Sequence, residues 1–427
     1  MNFQMYAFHP AVSAGIAAAG YVTPTPIQAQ AIDPILKGRD VMGLAQTGTG
    51  KTAAFALPLL QRFVQGRRGH VRALIIAPTR ELASQIQQDI DTLGRKTRLR
   101  SAAIYGGVSI NPQIQQLKRG ADFVVACPGR LLDHIQRGTV DLSRVEALVL
   151  DEADQMFDMG FLPDIRRILK YLPAQRQALL FSATMPAAIR HLADDILTRP
   201  AVVQAGSNAP AATVSHALYP VAPHLKTDLL LELLPEAKAG AVLVFTRTKH
   251  RAKRLGEKLS RAGYRSACLQ GNLSQNRRQA AMDGFRDGSV QVLVATDIAA
   301  RGIDVSKVSH VINYDVPSTP EIYIHRIGRT GRADCSGDAY TLITDEDASM
   351  VRAIKHLLGK PIEQRRVPGF DYQRSAPSAK QAVSQPQDRV NHRRKPRRGA
   401  VVARSQRPAD RSTKRGNTFG LPRPSAS

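Results

Sequence analysis

The residues from Ala45 to Thr52 combine glycines, a lysine and a threonine in a pattern that could bind a phosphate chain. They read Ala45, Gln46, Thr47, Gly48, Thr49, Gly50, Lys51 and Thr52. Glycine permits backbone conformations that turn successive N–H groups toward an anion, and a helix N-terminus adds partial positive charge. Lys51 could reach the β- and γ-phosphates of a nucleotide, and the Thr52 hydroxyl could bind Mg²⁺. The alternative is a flexible turn that ends in Gly-Lys-Thr by accident.

Two adjacent carboxylates, Asp151 and Glu152, follow the apolar run Val145 to Leu150. The first could hold Mg²⁺, usually through water, and the second could orient and deprotonate an attacking water molecule. Taken alone, the pair could equally be a solvated acidic loop. Beside a phosphate loop, it predicts an ATPase site.

A basic run near residue 330 places Arg326, Arg329 and Arg332 at three-residue spacing. Arginines on one helical face would repel one another, and an anionic partner would remove that cost. Arginines delivered to a γ-phosphate across a domain interface act as arginine fingers, worth ~10³ to 10⁵ in rate. The alternative is a general basic patch that contacts RNA.

A turn with two prolines precedes the phosphate loop, in the run from Gly20 to Gln28. Prolines fix the backbone of such a turn. A rigidly placed glutamine amide can donate and accept at once, which matches the adjacent N6 and N7 of adenine. Gln28 is therefore a candidate for reading adenine, although it could also be an ordinary surface glutamine.

Apolar runs alternate with helix-forming stretches through most of the chain, which predicts parallel, doubly wound α/β sheets. The strands expected in the first series are Val41–Leu44, Ala73–Ala77, Phe123–Ala126, Val145–Leu150 and Ala178–Phe181; those in the second are Ala241–Phe245, Val290–Ala295 and Val308–Asn313. Polar clusters follow the strands, at the carboxyl edge where such sheets bind ligands. We expect a first domain over residues 1–205, a linker at 206–213 and a second domain at 214–370.

The charge of the chain points to a polyanionic partner. The 427 residues carry a net charge of +25, and 43% of them are hydrophobic, enough for a sizeable core. Nucleic acid is the first expectation and an anionic membrane surface the second. Residues 371–427 hold 14 Lys or Arg against three Asp and lack apolar runs, which predicts a disordered basic tail.

Three features of the composition bear on the compartment. Cys127, Cys268 and Cys335 lie far apart in sequence, which argues against a cysteine zinc site and for a reducing compartment. The N-terminus has no signal-peptide pattern, and no apolar stretch is long enough to span a bilayer. We therefore expect a cytoplasmic protein.

Together, these motifs and their order resemble the DEAD-box RNA helicases of superfamily 2, and the length and tail are closest to the bacterial RhlE-like group. The resemblance covers residues 3 to about 340 and implies two tandem RecA-like domains that use ATP and Mg²⁺. Residues 3–28 are similar to the adenine-reading segment of the family, in which Phe3 stands at the upstream aromatic position and Tyr21 adjoins the nucleotide. The run from Ala45 to Thr52 is the family's own form of the phosphate loop.

The resemblance also implies roles for residues that follow other strands. RNA-backbone contacts are implied for Pro78, Thr79, Arg80, Gly106, Gly107, Pro128, Gly129 and Arg130 in the first domain, and for Thr246, Arg247, Gln275, Arg278 and Thr296 in the second. Gly302 and Asp304 stand at nucleotide-contacting positions, and Arg329 and Arg332 match the arginine fingers. Ser182 and Thr184 match the motif that couples hydrolysis to strand separation, and His325 matches a position that bridges to the first domain. The family usually has Thr where this chain has Cys127, so a hydroxyl contact to phosphate is in doubt there.

The implied mechanism is a clamp, in which ATP recruits the second domain and the closed form bends one RNA strand. Phosphate and 2′-hydroxyl contacts imply little sequence preference. Two alternatives stay open: a DNA translocase, and an ATP-gated RNA clamp with little unwinding. Family roles include ribosome assembly, mRNA decay and cold adaptation, so ribosomal precursor particles or the RNA-decay machinery are expected partners. We expect a monomer.

Overall fold

The computed structural model describes residues 2–46, 48–205, 214–235, 240–300, 308–331, 337–359 and 361–376. All of them lie in one compact unit, Met1–Ala376. Two seven-stranded sheets organise this unit, and every strand pairing in both is parallel. The predicted fold class, two tandem α/β domains, is confirmed.

The first sheet has the strand order β3-β4-β2-β5-β6-β1-β7. Its strands are β1 (Val41–Ala45), β2 (Ala73–Ile76), β3 (Ser101–Ile104), β4 (Phe123–Ala126), β5 (Ala147–Leu150), β6 (Gln177–Ser182) and β7 (Ala201–Ala205). The helices are α1 (Pro10–Ala18), α2 (Pro26–Leu36), α3 (Lys51–Phe63), α4 (Arg80–Leu93), α5 (Asn111–Lys118), α6 (Pro128–Gln136), α7 (Ala153–Asp158), α8 (Leu162–Leu169) and α9 (Ala187–Ile196). A short 3-10 helix, Phe3–Tyr6, precedes them.

The second sheet has the order β10-β11-β9-β12-β13-β8-β14. Its strands are β8 (Val214–Pro220), β9 (Ala241–Thr246), β10 (Ser266–Leu269), β11 (Val292–Thr296), β12 (Val308–Asn313), β13 (Gly337–Ile343) and β14 (Glu363–Gln364). The helices are α10 (Lys226–Leu233), α11 (Lys249–Arg261), α12 (Gln275–Asp287), α13 (Asp297–Ala300), α14 (Pro320–Ile327) and α15 (Ala348–Leu358). Two short 3-10 helices, Pro223–Leu225 and Asp345–Asp347, complete the described elements.

Both sheets are covered by helices on their two faces, which explains their uninterrupted apolar strands. Every residue of β2, β4 and β5 is buried. Strands buried on both faces need apolar side chains at every position instead of alternate ones. The first sheet thereby separates two apolar cores, one packed around α2 and α3 and the other around α6, α8 and α9.

The eight strands expected from the sequence are present, with one or more residues of difference at some ends. β5 begins at Ala147 instead of Val145, and β11 begins at Val292 instead of Val290. The sequence analysis did not identify β3, β7, β8, β10, β13 and β14. Among the described residues, no helix is both long and apolar enough to cross a membrane.

The chain after β14 packs against the second domain as far as Ala376. Tyr372 Oη accepts a hydrogen bond from Val367 N at 2.9 Å, and Arg374 forms an ion pair with Asp228. Phe370 and Tyr372 are partly buried against the core that contains α10. We call residues 361–376 the strap. The expected tail was 371–427, but its first six residues, 371–376, are ordered because Tyr372 and Arg374 bind the second domain. The rest of that tail, 377–427, and the expected linker, 206–213, lie outside the described residues.

Candidate functional site

The phosphate loop connects β1 to α3, as the sequence predicted. Gly48 and Gly50 have φ angles of +83° and +88°, which favour glycine. Lys51 is buried, and its Nζ donates to the Ala45 carbonyl oxygen at 3.2 Å. The same Nζ lies 3.7 Å from Asp151 Oδ1. The loop thus holds an ammonium at the carboxyl end of β1, where a phosphate chain would meet the N-terminus of α3. Thr47 lies outside the described residues.

Gln28 links α2 to the phosphate loop through both ends of its amide. Its Oε1 accepts from Thr25 N at 3.0 Å, and its Nε2 donates to the Gly50 carbonyl at 3.1 Å. Thr25 Oγ1 donates to the Thr49 carbonyl at 2.8 Å. A Cβ added at Gly50 would collide with Gln28 Nε2. Gln28, the adenine-reading candidate, is therefore buried and hydrogen-bonded to the phosphate loop. A movement of its amide would therefore be transmitted to Gly50.

Two aromatic side chains flank this segment. Phe3 is buried and stacks on Tyr21, with ring centroids 6.2 Å apart and an interplanar angle of 24°. Tyr21 is 39% exposed. The accessible aromatic surface here belongs to Tyr21, so a planar base would reach Tyr21 more readily than Phe3.

Asp151 and Glu152 follow β5 and are both buried. Burial raises the pKa of Asp151 to about 6, against the opposing effect of the nearby Lys51 ammonium. Glu152 has a φ of +55°, and its N–H donates to Asp151 Oδ1 at 3.0 Å. A glutamate in this left-handed region is uncommon, and such backbone strain clusters at functional sites. The carboxylate pair therefore faces the phosphate loop from the end of β5, which is separated from β1 by β6 alone.

Asp154, to which the sequence motifs assigned no role, contacts residues from two motifs. Its Oδ2 accepts from Thr184 N at 2.8 Å and from Thr184 Oγ1 at 2.9 Å, and its own N–H donates to Ser182 Oγ at 3.2 Å. His325 Nε2, from the second domain, lies 3.8 Å from the same Oδ2. Burial lowers the pKa of His325, which keeps the imidazole neutral at pH 7. One carboxylate thus contacts the coupling candidates of both domains.

A cavity of about 230 Å³ lies between these groups. Its lining includes Lys51, Glu152 and Asp154 from the first domain, and His325 and Arg329 from the second. The structure therefore brings the predicted catalytic carboxylate, the lysine and one predicted arginine finger to one cavity. The other finger candidate, Arg332, lies outside the described residues, as do Gly302 and Asp304.

Arg326 differs from the expectation that three arginines share one exposed face. Helix α14 ends at Ile327, so Arg329 lies beyond the helix. Arg326 is 2% exposed and binds both carboxylate oxygens of Asp297, at 2.5 and 2.8 Å. It also donates to Asn313 Oδ1 at 3.0 Å. Arg326 is not repelled by the other arginines as expected, because the partly buried carboxylate of Asp297 neutralises it.

A second cleft, of about 500 Å³, is lined by many of the residues predicted to contact the RNA backbone. We call it the candidate RNA groove. Its lining residues are Pro78, Thr79, Arg80, Glu81, Gly106, Cys127, Gly129, Arg130, Asp133, Met159 and Phe161 from the first domain, with Gly271 and Arg278 from the second. Gly107 has a φ of +76°, and a Cβ there would collide with the Arg80 guanidinium. Helix α6, which begins at Pro128, presents its N-terminus to the cleft, an arrangement suited to phosphate.

Two buried side chains fix the spacing between α6 and the loop that contains Gly106 and Gly107. His134 Nε2 lies 3.2 Å from Gln113 Oε1, and Gln113 Nε2 donates to the Tyr105 carbonyl at 2.9 Å. Since that amide nitrogen donates, Gln113 Oε1 accepts, and His134 Nε2 carries the proton. Arg130 Nη2 adds a second link by donating to the Val108 carbonyl at 3.1 Å. No local sequence pattern predicts this pair, because its residues are 21 positions apart.

Cys127 is the N-cap of α6, but no capping hydrogen bond from its side chain is present among the described residues. Burial raises the pKa of its thiol to about 12, so the sulfur remains protonated. The helix N-terminus can still offer backbone N–H groups to phosphate.

The two domains meet through an ion pair at one end of the candidate RNA groove. Arg278 Nε donates to Glu81 Oε1 at 2.8 Å, and both side chains are at most 10% exposed. Gln275 contacts both Arg80 and Glu81, at 3.4 Å each. Of the RNA candidates in the second domain, Gln275 and Arg278 thus contact protein partners across the domain interface.

The remaining RNA candidates lie at the carboxyl edge of the second sheet. Thr246 is fully buried, with its hydroxyl directed to the Thr248 carbonyl at 3.4 Å. Arg247 is exposed, and its backbone N–H donates to Asp315 Oδ2 at 2.8 Å. Thr296 ends β11 and is partly exposed. Arg247 and Thr296 are therefore the side chains of this set that solvent reaches.

The residues around Lys51 also fit a bound magnesium nucleotide. Asp151 is a buried carboxylate with a raised pKa, and a nearby divalent cation would stabilise its ionised form. Thr52 is the second residue of α3, at the end that faces a phosphate. Mg²⁺ is commonly held by one or two protein oxygens together with substrate phosphates and water.

Comparisons with known proteins agree with this geometry. The family model described as DEAD/DEAH box helicase matches residues 25–192, and the Helicase conserved C-terminal domain matches residues 225–334. The DEAD-box ATP-dependent RNA helicase CshA of Bacillus subtilis is 43% identical over 372 residues, which cover 87% of this chain and 75% of that protein. CshA of Geobacillus kaustophilus is 42% identical over 371 residues, 87% of this chain and 79% of the relative.

Solved structures show the same arrangement of two domains. Dbp5 of S. cerevisiae bound to RNA and ADP BeF3 has a TM-score of 0.77 and 33% identity, covering 86% of this chain and 95% of that one. Mss116p bound to ssRNA and AMP-PNP has a TM-score of 0.78 and 25% identity, covering 86% and 79%. The fold and site define a nucleotide-hydrolysing protein with two RecA-like domains. The chain belongs to the DEAD-box ATP-dependent RNA helicases, and nothing in these comparisons favours a DNA translocase or a clamp without unwinding.

Proposed function

We propose that this enzyme uses a closed form of its two domains to bend and locally separate RNA duplexes, and that hydrolysis of magnesium-bound ATP reopens it. The observation that supports this most directly is the position of Asp154, which contacts Thr184 and lies 3.8 Å from His325. Loss of the γ-phosphate beside Glu152 can therefore affect both domains, because Asp154 contacts Thr184 in the first domain and lies near His325 in the second.

In this proposal each predicted residue keeps one role. The loop from Ala45 to Thr52 binds the phosphates, Thr52 and Asp151 hold Mg²⁺, and Glu152 orients and deprotonates water. Arg329, together with Arg332, stabilises the charge on the γ-phosphate. Gln28 selects adenine and couples binding of the base to the phosphate loop through its hydrogen bond to Gly50. Phe3 stacks on Tyr21 and thereby positions that ring against the base. Gly302 and Asp304 contribute nucleotide contacts from the second domain.

The RNA-backbone contacts come from the candidate RNA groove and from the edge of the second sheet. Donors at the N-terminus of α6, with Thr79, Arg80 and Arg130, would contact phosphates without reading bases. Arg247 and Thr296 would continue these contacts onto the second domain. Gln275 and Arg278 would act by holding the domains closed through Arg80 and Glu81.

We also propose a cellular setting. The relatives named above are RNA helicases of bacteria. The chain length and the basic C-terminal sequence favour membership of the RhlE-like group and a monomeric, cytoplasmic enzyme that acts on ribosomal precursor particles or with the RNA-decay machinery. Crosslinking of the enzyme to RNA in growing cells would identify the substrates.

Substitution of Glu152 by Gln tests the proposed mechanism. The amide keeps the shape of the carboxylate and removes the base, so we expect ATP and RNA to remain bound while hydrolysis slows by at least about 100-fold. RNA should dissociate more slowly from this variant than from the wild type in the presence of ATP. The measurements are ATP turnover, release of labelled RNA and duplex unwinding, with Glu232→Gln, at an exposed carboxylate on α10, as a matched control. Rapid release of RNA with the bound ATP intact would contradict the mechanism.

A further inference from the structure

The exposed side of α11 carries a row of positive charge that the nucleotide and RNA sites do not use. We define the α11 basic face as Arg254, Lys258 and Arg261, which are spaced by four and three residues and are all exposed. Such spacing places them on one side of the helix. The opposite side, with Ala252, Leu255 and Leu259, is buried in the domain core.

The charges on this face are not neutralised by neighbours. Glu257 pairs with Lys253 at 3.8 Å, and Arg251 pairs with Asp315. Within the part of the chain that the structure describes, no carboxylate forms an ion pair with Arg254, Lys258 or Arg261. Like charges at this spacing destabilise an isolated helix, and an anionic partner reverses that effect.

The N-terminal end of α11 lies next to the candidate RNA groove. Helix α11 begins at Lys249, directly after β9, at the same sheet edge as Arg247. Lys249 Nζ donates to Asn272 Oδ1 at 3.3 Å, and Asn272 adjoins Gly271, which lines the groove. From that end the helix extends about 20 Å away from the edge. A strand that leaves the groove on this side meets a row of cations.

We propose that the α11 basic face binds the phosphate backbone of RNA that extends beyond the groove. This inference rests on the proposed RNA groove and adds a second contact surface to it. The exposed residues of α11 include no apolar side chain and no Phe, Tyr or Trp. A protein partner would need such anchors at the centre of an interface, whereas a polyphosphate needs only donors and positive charge.

The test compares the double variant Arg254→Glu/Lys258→Glu with Arg67→Glu/Arg68→Glu. The second pair is exposed in the loop before β2, at the opposite, amino edge of the first sheet, and changes the net charge by the same amount. RNA-stimulated ATP turnover is measured for each full-length protein with a single strand of about six nucleotides and with one of about thirty, at several salt concentrations.

For the α11 variant we expect the half-stimulating concentration of the long RNA to rise at least about tenfold near physiological salt. The slope of log affinity against log salt should flatten by about 1.4, because each lost phosphate contact on a single strand contributes about 0.7. Stimulation by the short RNA and the turnover at saturating RNA should match the wild type.

Three results would overturn the proposal: unchanged stimulation by the long RNA, as expected if the face binds an acidic protein instead; an equal loss with the short RNA; or an equal loss in the Arg67/Arg68 variant. Failure of the short RNA to stimulate the wild-type enzyme would count against the groove itself, which separates the two hypotheses.

Discussion

At the phosphate loop, Lys51 contacts groups that a nucleotide must replace. Its ammonium donates to the Ala45 carbonyl and lies near Asp151. Phosphate oxygens would exchange for the carbonyl, so the lysine changes partners on binding and needs no large movement.

Lys51→Ala should abolish most ATP hydrolysis and weaken nucleotide binding. We expect turnover at saturating RNA to fall at least about 100-fold, the scale of losing one preorganised charge contact to a transition state. The comparison is Lys37→Ala, which removes a lysine from an exposed ion pair with Asp33. Near-normal turnover in purified Lys51→Ala would contradict the assignment of the loop.

Cys127, the N-cap of α6, is a residue where stability can be gained. Cys127→Thr should stabilise the protein by about 1 kcal/mol, because a threonine at the N-cap can accept a hydrogen bond from the first turn of α6. The same hydroxyl should strengthen RNA binding. Cys127→Val has the same shape without the hydroxyl and provides the control in urea unfolding and RNA titration. Equal behaviour of Thr and Val would argue against a capping role.

The sequence predicted those parts of the site whose residues lie close together along the chain. The glycines, Lys51 and the two carboxylates each lie within a short run after one strand, so pattern and position agree. Asp154 and Glu81 were missed because their partners are remote: Thr184 is 30 positions from Asp154, and Arg278 is 197 positions from Glu81. The same limit explains the wrong expectation for Arg326, whose carboxylate partner Asp297 lies 29 positions away.

At the scale of elements, the order of strands brings the catalytic groups of the first domain to one carboxyl edge. β1, β5 and β6 are near neighbours in the first sheet, so the loop, the carboxylate pair and Ser182 converge. Most strands that the sequence predicted correctly are buried and strongly apolar; β12, which contains Ser309 and His310, is an exception. It missed β3, β8, β10 and β13, which contain Ser, Gly, His or Asp, because such residues weaken an apolar pattern while the neighbouring strands supply the pairing.

The link between α5 and α6 yields a prediction for RNA binding. Gln113→Leu removes the hydrogen bonds to His134 and to the Tyr105 carbonyl and leaves buried polar groups unsatisfied, a cost of about 1 to 3 kcal/mol. We expect the half-stimulating RNA concentration to rise about tenfold while the Michaelis constant for ATP stays constant. Gln115→Leu, an exposed glutamine on the same helix, is the control. Equal changes in the RNA and ATP constants would indicate general destabilisation instead.

For the molecule as a whole, the basic C-terminal residues should serve as a tethering arm outside the ATPase. Deletion of residues 377–427 should leave turnover at saturating RNA nearly intact. It should raise the half-stimulating RNA concentration and flatten the salt dependence, because basic residues release counterions from phosphate without reading sequence. A variant of full length with Gln at the basic positions of 377–427 separates charge from length. A spacer that only aids solubility predicts no change in RNA affinity at low salt.

The pairing of β14 with β8 carries a consequence for how the isolated protein behaves. β14 continues the second sheet past β8 with Glu363 and Gln364, and Arg365 N donates to the Leu218 carbonyl at 2.8 Å. A chain cut before residue 361 would leave the backbone of β8 open, and an open strand edge is a template for pairing with another molecule. The strap therefore protects the protein from self-association by covering this edge. Enzyme truncated before residue 361 should aggregate at high concentration although its ATP site is intact.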